Sequence, residues 1–244
     1  MHENNGSSSG KDVKTKVISL LGYLALVILA LSIPALIISG TVNIYAHSAG
    51  LYNYGFAKYG ISAATGISNE QLNAVAQQMV DFFNGKAPSP QMAVRVNGLD
   101  RLLYSQKELV HMDDVCGIIA VFKVLQAAAI LAFMAASAAA FAILGMRTLL
   151  RGIQAGTIAT ASLMALLAAW ALIDFNSLFY LFHIVSFSNE LWLLDPSRDY
   201  LIMMFTGSFF YDAAVMVTGT IMAEAVVLGL VTLAIEKIML AGNK

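Results

Sequence analysis

The sequence predicts an all-α membrane protein: four transmembrane helices carrying a small extracytoplasmic cap that contains an amphipathic helix and a β-hairpin. Three observations predict it. Of 244 residues, 59% are hydrophobic and 12% charged, about half the charge of an average soluble domain. Four stretches reach the roughly 20 apolar residues needed to cross a hydrocarbon core. The long polar stretch after the first of them carries capping and turn signals of its own. Backbone in lipid must bond internally, so the four stretches are read as helices.

The elements follow in order. Residues 1–16 form a polar tail, its first ten rich in Ser, Asn and Gly and read as disordered. The first span covers 17–40, with Pro34 placed to kink its outer end. Its apolar core is longer than the roughly 7–15 residues of a cleaved leader. It is therefore read as an uncleaved anchor, although Ala46-His47-Ser48-Ala49 has the small residues of a cleavage site. The cap covers 41–112. Within it Ser68-Asn69-Glu70-Gln71 is a capping box. Leu72, Val75, Ala76, Met79, Val80 and Phe83 then recur at helical spacing, and Gly85 and Pro88 close that helix. Met92, Val94 and Val96 alternate into Asn97-Gly98, a type I′ hairpin turn, and 99–104 is the return strand. Ser105-Gln106-Lys107-Glu108 is a second capping box, which starts the next helix above the lipid. Its span covers 113–146, followed by a turn at 147–155, a third span at 156–185, an outer loop at 186–212, a fourth span at 213–238 and a tail at 239–244. Gly219-x-x-x-Ala223 in the fourth span reads as a small-residue packing motif.

Lys11, Lys14 and Lys16 precede the first span, Arg147 and Arg151 sit in the short turn, and Lys237 and Lys244 close the chain. By the positive-inside bias both termini and that turn are cytoplasmic, and the cap and the 186–212 loop are external. A net charge of −1 without a basic block argues against nucleic acid as a partner. The single cysteine, Cys116, excludes an internal disulfide and reads as packing within an apolar run. H-E-x-x-H, P-loop and G-x-G-x-x-G motifs are absent, which counts against a zincin and nucleotide-driven transport.

Two histidines stand apart. His2 lies in the tail, and His47 reads as a solvated interface residue. His111 and His183 sit at the outer mouths of the second and third spans, antiparallel neighbours, so both rings fall near the outer headgroup level. Glu108 and Asp114 flank His111 at i−3 and i+3, on its own helix face. Phe179 and Tyr180 collar His183 one turn below and restrict water. Two readings stand for the pair: ordinary interfacial histidines, or a proton-transfer site. Lys123, Asp174 and Glu224 are deeper charges. They read as a structural ion pair, Lys123–Glu224 or Lys123–Asp174, or else as a proton or ion path. The aromatic residues of the 186–212 loop read as an interfacial belt, which leaves Asn189, Glu190, Asp195, Arg198 and Asp199 less well explained.

Around these histidines the sequence resembles a bacterial integral membrane family that contains the lipoprotein intramolecular transacylase. Glu108-Leu109-Val110-His111-Met112-Asp113-Asp114-Val115 is similar to one family signature. Phe182-His183 with Phe187, Asn189, Trp192, Pro196 and Asp199 is similar to a second, and Phe209-Phe210 also fits. Two departures are Cys116, where members often have Lys, and Thr206-Gly207-Ser208, where Pro-Glu often precedes the Phe pair. The resemblance implies an acyltransferase that moves the sn-2 acyl chain of a diacylglyceryl lipoprotein to the α-amine of its N-terminal cysteine. His111 and His183 would be the essential residues, the partners a diacylated lipoprotein and membrane lipid, and neither metal nor organic cofactor is expected.

Chemistry then suggests roles. One histidine accepts the amine proton while the other stabilises the oxyanion or acts as acid, with His183 favoured as base and His111 as its carboxylate-supported partner. Asp114, Asn189 and Trp192 are read as substrate-positioning. Asn189 would donate to the oxyanion and Trp192 would shape the lipid-facing wall, with interface anchoring as the alternative for each. Competing readings are a non-enzymatic lipid-binding or envelope-complex protein, a proton-coupled transporter using Lys123, Asp174 and Glu224, and a bis-histidine haem protein.

Overall fold

The computed structural model describes the backbone of residues 5–242 and the side chains of 13–242. His2 and Lys244 lie outside the described residues, and Lys11 is described by its backbone alone. The element order is α1 (Asn5–Ala46), α2 (Ala49–Lys58), α3 (Ile61–Thr65), α4 (Asn69–Phe83), β1 (Ala93–Val96), β2 (Leu99–Leu102), α5 (Gln106–Leu144), α6 (Met146–Ser186), α7 (Tyr200–Met204) and α8 (Gly207–Ala241). Among the described residues four helices, α1, α5, α6 and α8, are long and apolar enough to cross a membrane, with mean hydropathies of 2.6, 2.3, 1.9 and 2.0. All four expose large apolar side chains, such as Leu31, Val124, Leu166 and Leu230, as lipid rather than water as solvent requires.

The helices outrun the apolar stretches that predicted them. α1 is helical from Asn5, inside the segment whose composition suggested disorder, and continues past residue 40 to Ala46. Once an apolar span has nucleated a helix, extending it adds one hydrogen bond per residue fixed, so moderate formers are recruited at both ends. The turn expected at 147–155 contracts to Gly145, whose φ of +81° stops α5. Arg147 and Arg151 therefore lie within the first turns of α6.

The chain divides into two compact units. One comprises residues 1–39, 125–165 and 220–244. Its close packing rests on Gly152 and Gly156, four apart on α6. A Cβ on Gly152 would stand 2.9 Å from Leu26, and one on Gly156 would stand 2.8 Å from the Ala30 carbonyl oxygen. That carbonyl is the one that Pro34, lacking an N–H, cannot bond. α1 runs through Pro34 as one continuous helix, and the small residue gives the freed carbonyl a tightly packed neighbour. Gly219, expected to pack, has no atom within 4 Å of a Cβ position, so the close approach belongs to Gly152-x-x-x-Gly156. Glu236 of α8 takes Arg151 Nε (3.1 Å) and Gln154 Nε2 (3.2 Å) from α6.

The other unit comprises 40–124 and 166–219. Ser48 caps α2 by accepting from Leu51 N–H, which explains the small residues between the two helices. Ser68 caps α4 by accepting from Gln71 N–H. The predicted apolar face of α4 is buried, with Leu72, Val75, Ala76 and Met79 all at 5% exposure or less. β1 and β2 pair antiparallel, Val96 opposite Leu99, and Asn97 and Gly98 hold φ of 51° and 88° as the I′ turn demands. Val94 and Val96 face the core while all of β2 is exposed. Phe205 and Phe209 close this core against Tyr52 and Phe56. A Cβ on Gly55 would stand 2.3 Å from the Phe209 ring, so only glycine lets α2 approach that closely.

Candidate functional site

The site lies within the second unit, where the first turns of α5 meet the last turns of α6. At the start of α5 the second capping box is reciprocal. Ser105 N–H donates to Glu108 Oε2 (2.7 Å), and Glu108 N–H reaches Ser105 Oγ (3.4 Å). The other carboxylate oxygen of Glu108 accepts from Leu201 N–H in the first turn of α7 (2.7 Å). Glu108 is 1% exposed, and so deeply buried a carboxylate is tolerable only with both oxygens met. The sequence places Glu108 on the face of His111 as a supporting carboxylate. The structure commits it instead to two backbone N–H groups, because orphan donors at two helix starts compete for it.

His111 follows one turn later and is buried, its Nδ1 without a hydrogen-bond partner among the described residues. Its ring stands edge-on to Phe187, with centroids 5.0 Å apart. Asp114, the second carboxylate expected to support it, accepts from Asn189 Nδ2 (2.9 Å), and Asn189 Oδ1 accepts from Leu191 N–H (2.9 Å). The Asn189 side chain therefore braces α5 to the loop carrying Trp192, with both its polar ends engaged. Lys107 donates to the Leu193 carbonyl of the same loop. The Ser197 hydroxyl and N–H hold the Asp195 carboxyl there below the usual carboxylate range.

His183 is equally buried. Its Nδ1 lies 2.7 Å from the Phe179 carbonyl oxygen. A carbonyl only accepts, so Nδ1 carries the proton and the neutral ring keeps its lone pair on Nε2. The collar is aromatic on several sides, with Phe179 at 4.2 Å, Trp192 at 4.8 Å, Phe182 at 5.3 Å and Phe187 at 5.6 Å between centroids. Phe175, Phe179, His183 and Phe187 recur every four residues and stack along one line, and α8 backs them with Phe210 and Tyr211. The two imidazoles stand 6.4 Å apart, centroid to centroid, with planes inclined by 31°.

Two of the deeper charges have backbone partners. Lys123 Nζ donates to the Phe83 carbonyl at the end of α4 (2.8 Å). Asp174 is exposed and accepts from Ser177 N–H (3.0 Å), so the Lys123–Asp174 ion pair does not form. Its local turn competes better than a distant lysine. Glu224 stands on α8, in the other unit. His47 is half-buried, with Nδ1 on the Asn43 carbonyl (2.6 Å), rather than solvated. Among the described residues no three His, Cys, Asp or Glu side chains converge as a metal site would need.

A model of the family described as lipoprotein intramolecular transacylase Lit matches residues 27–210. No curated protein sequence matches the chain. Among solved structures, the membrane-integral Lit of Bacillus cereus is similar at a TM-score of 0.76 and 20% identity, over 91% of this chain and 99% of that one. Two variants of that protein are also similar. The one with a histidine changed to arginine gives 0.74 at 18% identity over 96% and 99%, and the one with a histidine changed to alanine gives 0.72 at 19% over 91% and 96%. The shared architecture is the four-helix membrane fold with its small sheet. The family match covers most of the chain and both histidine segments, and on it this chain belongs to the lipoprotein intramolecular transacylase (Lit) family of membrane-integral acyltransferases.

Proposed function

We propose that the chain moves the sn-2 acyl group of a diacylglyceryl lipoprotein to the α-amine of that lipoprotein's N-terminal cysteine, with His111 and His183 as the catalytic pair. The observation that carries this reading is the 6.4 Å approach of two buried imidazoles, one of them with its tautomer set by the Phe179 carbonyl. Close by, Ile184 and Val185 are exposed apolar residues on the same helix end, suited to a substrate whose chains stay in lipid. The site then faces outward and both termini are cytoplasmic, in keeping with Lys14, Lys16, Arg147, Arg151 and Lys237.

The chemistry is an amine attacking an ester of the same molecule, so much of the entropic cost of bringing reactants together is already met by the substrate. The amine nitrogen bonds to the ester carbonyl carbon, and its proton passes to His183 Nε2. Histidine is the side chain most often used as a general base for such a transfer, and the unprotonated Nε2 of His183 is free to accept. A ring N–H of His111 stabilises the oxyanion. Collapse breaks the bond from the acyl carbon to the sn-2 oxygen, and that oxygen receives the proton held on His183. The products are an N-acyl amide and a free glycerol hydroxyl. Trp192 fixes one wall of the His183 pocket. Asp114 and Asn189 hold the loop that carries it, a positioning role in place of direct oxyanion donation.

Mass spectrometry of lipoprotein N-terminal peptides, with and without the expressed protein, tests the reading. The expected result is loss of acyl from glycerol matched by gain on nitrogen. Unchanged lipoproteins would exclude it.

A further inference from the structure

Beyond these residues, one on α6 sets how His183 is presented. α6 is helical from Met146 to Ser186 except at Asp174, whose φ of −154° and ψ of 86° are extended. One extended residue interrupts the hydrogen-bond ladder and lets the segment beyond, 175–186, take its own axis and azimuth. The break leaves the first N–H groups of that segment without intrahelical partners, a heavier penalty where water is scarce. Asp174 answers one of them: Oδ1 accepts from Ser177 N–H, three residues on, at 3.0 Å. Extended backbone at the capping residue with a side-chain oxygen on the i+3 N–H is N-cap geometry. The segment so started carries Phe175, Phe179 and His183 on one line, and Phe179 supplies the carbonyl that holds His183 Nδ1.

We propose that Asp174 is a positioning residue for the transacylation, capping the 175–186 segment so that its stacked face delivers His183 in the Nδ1–H tautomer toward His111. This rests on His183 being the base. It also separates Asp174 from the two roles its charge suggests, an ion pair or a proton path, because a cap needs an acceptor oxygen and not a carboxylate.

The test uses the full-length protein in lipid bilayers with a diacylated lipopeptide. Asp174→Ala is expected to lower kcat about tenfold with little change in KM, while Asp174→Asn and Asp174→Ser, both good caps, stay within about twofold of wild type. Ring-nitrogen NMR of ¹⁵N-histidine-labelled protein gives a readout independent of turnover: the Nδ1–H share of His183 falls in Asp174→Ala and is retained in Asp174→Asn. If Asp174→Ala does not accumulate, Asp174→Val, which keeps extended backbone favourable but lacks the acceptor, replaces it. Equal loss in the Ala and Asn variants would overturn the inference, as would a fully active Asp174→Ala with an unchanged tautomer. Were the wild-type protein to transfer no acyl group, the transacylase reading would fall, and the tautomer measurement alone would decide what Asp174 does.

Discussion

Between Ser105 and Asp114, α5 is fastened by hydrogen bonds that leave the helix: Glu108 to Leu201 N–H, Lys107 to the Leu193 carbonyl, Asp114 to Asn189. Between Asp174 and Phe187, among the described residues, the side-chain hydrogen bonds of Asp174 and His183 run to the backbone of α6 itself, and rings do the holding. The difference is one of stiffness. A buried carboxylate with both oxygens engaged tolerates little displacement, since any shift orphans an N–H. Stacked rings slide at modest cost. One imidazole is mounted on a fixed post and the other on an adjustable one, which suits the proposed transfer from a bulky lipid.

The largest expected effect removes either imidazole. His183→Asn and His111→Asn should each lower N-acylation about 10²–10⁴-fold while the protein stays folded, read by lipopeptide mass spectrometry. Full activity in both would end the catalytic assignment. Next, Glu108→Ala orphans the buried Leu201 N–H and uncaps Ser105 N–H, and should cost about 2–4 kcal/mol, seen as a lower Tm in detergent. An Asp114→Ala, Asn189→Ala double-mutant cycle should return a coupling of about 1–2 kcal/mol and raise KM through the loosened Trp192 loop. The smallest effect belongs to the ring-held side: Phe179→Leu keeps the carbonyl on His183 and should cost about 1 kcal/mol. A Phe179 effect larger than that of Glu108 would reverse the contrast between fixed and adjustable posts.

The four spans, the α4 helix with its Ser68 cap, the hairpin and the Ser105–Glu108 capping box were legible because each is a local signal: apolar length, four-residue spacing, a turn dipeptide, an acceptor before a helix. At Ser68 only the cap forms, since the Gln71 side chain is placed to pair with the Arg95 backbone instead. The proximity of His111 and His183 was legible from their matching places on neighbouring antiparallel helices. The partners of Glu108 and Lys123 were not. Helical spacing tells which groups share a face, but a backbone N–H or carbonyl from another segment carries no residue signature. Leu201 N–H and the Phe83 carbonyl are invisible to any motif. The ladder from Phe175 to Phe187 is present as regular spacing, yet Phe179 reads as a collar, Phe187 as part of a belt and of a family motif, and Phe175 carries no signal of its own. The break at Asp174 was hidden because one aspartate in an apolar run reads as charge before it reads as geometry.

At the end of α4, the Phe83 carbonyl receives Lys123 Nζ from α5 at 2.8 Å, and His47, just past α1, brings Nε2 to 3.4 Å of the same oxygen. That oxygen sits at the electronegative tip of a helix, where cations are welcome. Three segments far apart in the chain thus meet at one oxygen, and an ammonium group ties the end of α4 to α5. A neutral residue at Lys123 would release that tie without touching either imidazole.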